Sequence, residues 1–407
     1  MSDLISLALI LLFIGILVKL KINIGLSIFL STILLALLKL IPFLDVLAYF
    51  VSAVKSPDSV RMVLIVISVT YFAELLKKTG FLDRIVNSFR KIFTPRQYIP
   101  LFSLVIGLLP MPGGALVSAP LVEEGSKQTG LNGAQKTVLN FWFRHVWEPI
   151  SPLYPELALS ASILGITIFK LISIQWPIFL GMLMSGIIFS LPVIKSNGEH
   201  IVVINKDNML GVFKSVMPIL IIIVFMVIFR NLPTYYAIIT GIVYIIIIKR
   251  LNLKTIYQSA NWVNLFKFCF LMISIFFLRE VAVKSNLIEG LYSFFTASRV
   301  PSLLIIFILP FLIGLITGIS SASIGISYPL LLPLMKASGT ISSYYVFVAY
   351  LGSWLALLIT PTHLCLSLSL EYFKSKLSEA YKFMAKSIVF IIIVSIAWLI
   401  ILKLFKY

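Results

Sequence analysis

Apolar runs of about 17–25 residues recur along the whole chain, and each can cross roughly 30 Å of hydrocarbon as a helix. Of the 407 residues, 60% are hydrophobic and 12% are charged. A soluble globular chain is closer to half apolar and a quarter charged, so this composition is typical of a polytopic membrane protein. Only helices and closed barrels satisfy their backbone in lipid, and short alternating strands are absent from the sequence. We therefore predict an all-α membrane protein.

The ends, cysteines and charges of the chain exclude several other classes. The run SDLISLALILLFIGILV has no basic residue before it and no small-residue cleavage site, so we interpret it as a retained first helix. Cys269 and Cys365 lie in apolar segments and suggest no disulfide framework. The net charge of +18 comes from Lys and Arg scattered over short loops. That scatter indicates positive-inside topology and no nucleic-acid partner.

The two halves of the chain carry a weak internal repeat. The segment ELLKKTGFLDRIVNSF (74–89) aligns with EVAVKSNLIEGLYSFF (280–295) in constant register, with Glu on Glu, Lys on Lys and Phe on Phe. The same offset relates the predicted helices of the first half to those of the second. In the first half these are 4–18, 22–41, 60–78, an interrupted segment at 98–125, a helix from 136 broken near 150, and 172–194. In the second half they are 211–229, 233–248, 263–283, an interrupted segment at 300–335, a helix from 342 broken near 361, and 384–404.

If each interrupted segment is a re-entrant helical hairpin, each half crosses the membrane five times. An odd number of crossings predicts an inverted-topology repeat of two five-span halves, as in many secondary transporters. The loops on the side that holds the base of the first hairpin carry more Lys and Arg than those on the opposite side. The positive-inside rule therefore places this base in the cytoplasm and both termini outside the cytoplasmic (inner) membrane.

Helix-breaking residues concentrate inside the two interrupted segments. The stretch LPMPGGALVSAP (109–120) combines three prolines with a Gly-Gly pair, and its counterpart TGISSASIG (317–325) is rich in hydroxyls. The next helix of each half breaks as well, at WEPISPLYP and at LLITPTHLC. Non-helical backbone at membrane depth is tolerated only where it is buried in protein or lines an aqueous cavity. We therefore expect the four breaks to form a binding site.

Freed carbonyls and hydroxyls at such breaks can ligate a hard cation, and half-helix N-termini attract an anion. The predicted cation-binding residues are Pro110, Ser151, Thr317, Ser323 and Thr360. The predicted substrate-binding residues are Gly113, Gly114, Ser118, Arg144, His145, Ser320, Ser321, Thr362 and His363. A single hydroxyl in such a segment is more often a helix-packing residue, but the clustering of these hydroxyls at paired breaks favours a binding function.

The motif FWFRHVWEP places three titratable side chains within one helical turn. Arg144 and Glu148, four residues apart, can neutralise each other. Alternatively, the planar fork of Arg144 binds a substrate carboxylate. His145 or His363 can relay protons, or each can be a buried histidine with a structural hydrogen bond.

Two hairpins and two broken helices in inverted halves resemble the ion transporter superfamily, which includes divalent anion:sodium symporters and the large membrane subunit of TRAP transporters. The motifs LPMPGGALVSAP, FRHVWEPISPLYP and TPTHLCLSL more specifically resemble the domain-of-unknown-function 401 family. The resemblance implies an elevator-type transporter, commonly a homodimer joined through its scaffold. The scaffold parts would be 1–97 and 211–299. The transport parts would be 98–194 (hairpin 98–125, broken helix 136–165) and 300–407 (hairpin 300–335, broken helix 342–370), with an inter-repeat linker at 195–210.

The leading hypothesis is a secondary transporter of a small organic anion, bearing a carboxylate and coupled to Na⁺ or H⁺. The Ser-Asn-Thr signature of the symporters is missing from both tips, which leaves Na⁺ and a dicarboxylate open. The alternatives are an intramembrane serine protease with a Ser320–His363 dyad, or a passive channel. The sequence shows no phosphate-binding loop and no metal-ligand motif. We expect no enzyme activity, no cofactor and no transition metal, with Na⁺ as the candidate coupling ion.

Overall fold

The computed structural model describes residues 3–110, 114–195, 206–229, 232–298, 300–337 and 339–404, and these are almost entirely helical. The first half forms α1 (Asp3–Lys19), α2 (Ile24–Leu38), α3 (Phe43–Lys55), α4 (Pro57–Lys78), α5 (Phe81–Ile92), α6 (Pro95–Ile106), α7 (Ala115–Gly125), α8 (Gly133–Arg144), α9 (Pro155–Leu164) and α10 (Ile168–Ser185). The second half forms α11 (Lys206–Ile228), α12 (Thr234–Lys249), α13 (Leu253–Ser259), α14 (Trp262–Lys284), α15 (Leu287–Ala297), α16 (Ser302–Thr317), α17 (Ser320–Leu331), α18 (Ser343–Ile359), α19 (Leu364–Tyr372) and α20 (Leu377–Leu404).

Short irregular pieces connect some of these helices. A π-helical turn (Gly186–Ser190) and a 3-10 turn (Leu191–Val193) extend α10. Two short antiparallel strands, β1 (Lys336–Ala337) and β2 (Thr340–Ile341), lie between α17 and α18.

Among the described residues, the segments long and apolar enough to cross a membrane are Pro57–Lys78, Ile168–Val193, Met209–Ile228, Ser343–Tyr372 and Leu377–Leu404. Four shorter apolar helices accompany them: α2, α9, α12 and α16. Large apolar side chains remain exposed on outer faces; Phe266 of α14 is 72% exposed and Ile393 of α20 is 60% exposed. Such faces are stable where hydrocarbon replaces water. The protein is therefore an all-α, multi-pass membrane protein.

The apolar runs predicted most of these helices, but α3 and α13 were missed. Both lie between the second and third predicted spans of their half, and they contain 13 and 7 residues. A run this short leaves no membrane-length signal in the sequence. α3 is also mostly exposed, with Phe43 and Leu44 at 78% and 76%, although Ala53 is buried in the core and Phe50 packs against it.

Each of the four predicted breaks separates two helices: α6 from α7, α16 from α17, α8 from α9, and α18 from α19. Local chemistry accounts for these ends. Gly318, with φ of +67°, ends α16 in the left-handed region that only glycine adopts freely. Pro155 occupies the first position of α9, where its missing N–H leaves no helical bond unmade. Pro361 follows α18 and cannot continue it.

The second half repeats the helix order of the first half. Each helix from α1 to α10 has its counterpart ten places later, so that α6 corresponds to α16 and α7 to α17. Each half forms a helical hairpin, α6 against α7 and α16 against α17. The hairpins also contact the opposite half: α7 packs against α19, and α17 packs against α9. In the same reciprocal way, α2 packs against α14 and α12 against α4. This exchange of contacts brings all four breaks into one region.

Candidate functional site

A cavity of about 200 Å³ lies where the four breaks meet. One wall comes from α4 and α14 and is largely apolar, with Val66, Val69, Thr70, Phe268, Leu271 and Met272. The opposite wall comes from the breaks and carries titratable groups: Arg144, His145, Glu148, Glu156, His363 and Cys365. All six of these side chains are at most 9% exposed. An apolar cavity with a few convergent polar groups is the usual form of a small-molecule site.

A larger opening of about 590 Å³ lies between α4, α9, α11 and α12. Among the described residues, the charged ones that line it are Asp58 and Arg61. Asp58 lies 3.6 Å from Arg279 in a partly exposed ion pair. The smaller cavity concentrates buried charge, which is costly at membrane depth, and it is therefore the candidate site.

Arg144 is the last residue of α8 and joins the first hairpin to the first broken helix. Its Nη1 donates a hydrogen bond to the carbonyl of Ile106, at the end of α6, at 3.3 Å. A Cβ atom placed on Gly114 would lie 2.4 Å from both terminal guanidinium nitrogens. Gly114 is therefore required because the guanidinium fills the space that any side chain there would need.

Glu148 and Glu156 bring two buried carboxyl groups to the N-terminus of α17. The hydroxyl of Ser320 donates to Glu148 Oε1 at 2.6 Å, and the hydroxyl of Ser321 lies 3.5 Å from Glu156 Oε2. The two carboxyl groups are close enough to hydrogen-bond to each other. Within the described residues, Glu148 Oε2 has no hydrogen-bond partner. Two adjacent carboxyl groups with a neighbouring hydroxyl offer the hard oxygen ligands that a cation binds.

His145 and His363 face each other across the two halves. Their Nε2 atoms are 2.9 Å apart. His145 Nδ1 lies 2.7 Å from the carbonyl of Phe141, and His363 Nδ1 lies 2.9 Å from the carbonyl of Gly318. Cys365 completes the group, because its sulfur and one nitrogen of each ring lie within 4.8 Å of one another.

Uncharged polar side chains fix the loops around the cavity. Tyr154 donates to the carbonyl of Gly107 at 2.6 Å, and Trp147 Nε1 donates to the carbonyl of Leu104 at 2.9 Å. Both bonds tie the first broken helix to the first hairpin. Asn140 Nδ2 donates to the carbonyl of Ala115 at 3.0 Å and to Ser369 Oγ at 2.9 Å. Asn140 therefore joins α8, α7 and α19.

The predicted site residues divide into two groups. Pro110, Arg144, His145, Ser320, Ser321 and His363 line the cavity, and Gly114 supports Arg144. The remaining hydroxyl residues lie near the breaks. All of them except Ser151 have a hydroxyl within hydrogen-bond distance of a backbone carbonyl, and Ser151 is buried. Gly113 lies outside the described residues.

The hydroxyls away from the cavity bond mostly to backbone carbonyls. Ser118 lies 3.4 Å from the carbonyl of Gly114, Thr317 donates to Ile313 at 2.8 Å, and Ser323 donates to Pro310 at 2.6 Å. Thr360 and Thr362 lie 2.7 and 3.2 Å from the carbonyl of Leu315 and 2.7 Å from each other. Ser151 is buried in the first broken helix. Such contacts are typical of helix packing, and binding of substrate or cation by these residues stays a prediction.

Sequence reasoning missed Glu156, Tyr154 and Cys365. Glu156 and Tyr154 flank Pro155 in a segment that the sequence marked only by its prolines. Cys365 lies two residues after His363. His145, whose ring faces that of His363, is 218 residues from His363 in the chain. A His-x-Cys pair beside a broken helix was the available signal.

The geometry does not support a Ser320–His363 dyad. The Ser320 hydroxyl donates to Glu148, and the two ring nitrogens of His363 are engaged by His145 and by the carbonyl of Gly318. A serine nucleophile needs its base within hydrogen-bond reach. In the described structure, the Ser320 hydroxyl contacts the carboxyl group of Glu148 and not an imidazole.

A solved structure and a family model both match this chain. The crystal structure of the Alcanivorax borkumensis YdaH transporter, described as having an unusual topology, matches with a TM-score of 0.55. The match covers 84% of this chain and 84% of that chain at 14% sequence identity, so it shows the fold alone. No curated protein matches the sequence. The family described as "Protein of unknown function (DUF401)" matches residues 1–401, and the chain therefore belongs to this family, as its three motifs indicated.

Proposed function

We propose that the protein is a secondary active transporter that carries a small organic anion across the cytoplasmic membrane. The observation that carries this proposal is the cavity of about 200 Å³ between the four broken segments and the helices α4 and α14, with Arg144 in its wall. The cavity is large enough for a short-chain carboxylate. The likeness to a transporter fold supports the same class of function.

Arg144 is the proposed carboxylate clamp. A guanidinium binds a carboxylate through two parallel hydrogen bonds, and a buried guanidinium does so without competition from bulk water. Because Gly114 has no side chain, the Arg144 guanidinium can lie directly against the first hairpin, next to the break between α6 and α7. The apolar wall from α4 and α14 would contact the carbon skeleton of the substrate.

The two walls of the cavity support an elevator mechanism. Val66, Val69, Leu271 and Met272 belong to the proposed scaffold parts (1–97 and 211–299), whereas Arg144 and His363 belong to the proposed transport parts (98–194 and 300–407). A substrate held between them can cross when the transport parts slide along α4 and α14. The recurring helix order and the reciprocal packing of α7 on α19 and α17 on α9 support two related halves. We propose that these halves are inverted in the membrane, with both termini outside.

The coupling cation, Na⁺ or H⁺, is proposed to bind at Glu148 and Glu156. The carboxyl oxygens and the adjacent Ser320 hydroxyl are the hard ligands that such a cation prefers. A tenfold ion gradient is worth about 1.4 kcal/mol, and 100 mV adds about 2.3 kcal/mol per net charge moved. One Na⁺ moved with one monoanion gains nothing from the voltage. Strong accumulation therefore needs at least one additional cation.

The exposed apolar faces of the scaffold helices fit a homodimer joined through the scaffold. Phe43, Leu44 and Phe266, on α3 and α14, are each more than 70% exposed, and none of them lines the cavity. Lipid or a second copy of the chain would cover this surface in the membrane. Cross-linking in native membranes distinguishes the two cases.

The test begins with a thermal-shift screen of acetate, lactate, succinate, malate and citrate, with and without Na⁺. Uptake of the carboxylate that stabilises the purified protein most is then measured in liposomes that contain the protein. We expect saturable uptake that the Arg144→Lys variant loses and the Arg84→Lys variant, at an exposed position on α5, retains. Stabilisation by none of the carboxylates, or equal uptake by both variants, contradicts the proposal.

A further inference from the structure

We propose that His145, His363 and Cys365 form a binding site for a soft transition-metal ion such as Zn²⁺. The site lies in the wall of the proposed substrate cavity, but this proposal does not rest on the transport of an organic anion. It differs from our expectation from the sequence, in which no transition metal was predicted. The three ligand atoms lie within 4.8 Å of one another in the wall of the cavity.

The hydrogen bonds of the two imidazoles demand a positive charge between them. Each Nδ1 faces a backbone carbonyl, Phe141 for His145 and Gly318 for His363, and a carbonyl can only accept a hydrogen bond. Each Nδ1 therefore carries the proton, and in the neutral ring each Nε2 presents a lone pair. Two lone pairs facing each other at 2.9 Å repel unless a proton or a metal ion lies between them.

Both histidines are oriented as metal ligands usually are. A ligating histidine commonly donates its second N–H to a backbone carbonyl or carboxylate, which fixes the tautomer and the direction of the free nitrogen. Here both rings satisfy this pattern, and both leave Nε2 directed at the same point. The two residues come from different halves, so the arrangement depends on the complete fold.

Cys365 favours a metal ion over a shared proton. A thiolate sulfur is a ligand that Zn²⁺ and Cu⁺ bind well and that hard cations avoid. Cys365 is the second residue of α19, where the helix N-terminus supplies partial positive charge, and the Arg144 guanidinium lies within hydrogen-bond reach of its sulfur. Positive surroundings stabilise the thiolate that ligation requires.

The distances permit tetrahedral geometry after small movements. Around Zn²⁺, two nitrogens are separated by about 3.3 Å and a nitrogen and a sulfur by about 3.6 Å. The nitrogens would separate slightly from 2.9 Å, and the sulfur would approach from within 4.8 Å. Three protein ligands leave the fourth position open to the cavity, as in sites where zinc binds an exchangeable ligand. Binding would release the thiol proton and any proton held between the rings.

Cobalt titration of the purified full-length protein tests the site. Co²⁺ bound by a thiolate gives an intense near-ultraviolet absorption, and Zn²⁺ should displace it. We expect Cys269→Ser, at the partly exposed cysteine of α14, to keep the spectrum. We expect Cys365→Ser to abolish the thiolate band, and His145→Ala and His363→Ala to weaken binding by about tenfold or more. A thiolate band that survives Cys365→Ser and disappears in Cys269→Ser overturns the proposal, as does a wild-type protein without the band.

A second measurement does not depend on the folding of these variants. In Cys269→Ser protein, Cys365 is the single remaining thiol, since the chain has two cysteines. Bound Zn²⁺ should slow its alkylation by a small maleimide by about tenfold or more, and a chelator should restore the rate. An alkylation rate that Zn²⁺ leaves unchanged means that the two imidazoles share only a proton.

Discussion

Ser320 donates a hydrogen bond to Glu148 at 2.6 Å, although 172 residues separate them in the chain. The contact joins the N-terminus of α17, in the second hairpin, to the first broken helix. Ser320 lines the cavity and was predicted to bind the substrate, which stays a prediction; in this structure its hydroxyl donates to a carboxyl group of the protein itself. We therefore propose that the substrate carboxylate binds at Arg144 and that the cation binds near Ser320, at Glu148 and Glu156.

Replacing Ser320 by Ala should destabilise the protein. The change leaves a buried carboxylate oxygen without its donor, and such a loss costs about 1–3 kcal/mol. Thermal unfolding in detergent measures the effect. Ser173→Ala is the matched control, because that exposed hydroxyl bonds only to its own helix at Lys170. Equal unfolding temperatures for Ser320→Ala and the wild type would mean that the Ser320–Glu148 bond contributes little.

Replacing Gly114 by Ala should displace the Arg144 guanidinium. The new methyl group would lie 2.4 Å from its terminal nitrogens, far inside van der Waals contact. We expect the protein to fold and to lose carboxylate-dependent stabilisation in the thermal-shift assay. Gly181→Ala, in α10, meets its nearest neighbour at an ordinary 3.4 Å and should retain that stabilisation. Full retention in Gly114→Ala would contradict the clamp.

Replacing Asn140 by Leu should destabilise the contact between the two halves. Asn140 is fully buried, and its amide bonds to Ala115 and Ser369, so the change leaves buried polar groups unpaired. A loss of about 1–3 kcal/mol is expected. The unfolding midpoint should fall, whereas exposed Asn87→Ala on α5 should leave it unchanged. A midpoint for Asn140→Leu that matches the wild type would show that the amide is dispensable.

Replacing Glu156 by Gln should uncouple transport from its cation. The neutral amide keeps the shape of the side chain but removes one of two adjacent carboxyl groups. We expect binding of the carboxylate to persist and gradient-driven accumulation to be lost. Parallel liposome assays with an imposed Na⁺ gradient and an imposed pH gradient identify the ion. Glu123→Gln, which removes an ion pair with Lys136 at 3.0 Å, is the control. Accumulation by Glu156→Gln at the wild-type level would move the cation site elsewhere.

The helices and their breaks could be predicted from the sequence because each produces a pattern among residues that are close together in the chain. Apolar length predicted the long helices, and Pro and Gly predicted the ends of α6, α8, α16 and α18. The short helices α3 and α13 escaped because a few residues carry no membrane-length pattern. Their existence depends on packing against α14 and α4.

The chemistry of the site was only partly readable, because its partners are distant in the chain. Arg144 and His145 were found from one motif, but nothing local pairs His145 with His363 or Ser320 with Glu148. Hydroxyls were the least informative signal. Thr317 and Ser320 are neighbours in one motif, yet one bonds back to its helix and the other reaches the opposite half. Only the three-dimensional arrangement distinguishes a hydroxyl that bonds to its own helix from one that bonds to the opposite half.

The most direct test of the carrier mechanism is an exchange measurement with the carboxylate that gives the largest thermal shift. Liposomes containing the wild-type protein or Arg144→Lys are preloaded with that unlabelled carboxylate, and uptake of the labelled form is followed. We predict saturable uptake that preloading accelerates, and a loss of about tenfold or more in Arg144→Lys, since a charge-assisted hydrogen bond is worth about 1.5–3 kcal/mol. Uptake that rises linearly with concentration, ignores preloading and is unchanged in Arg144→Lys would contradict a carrier and indicate a passive channel.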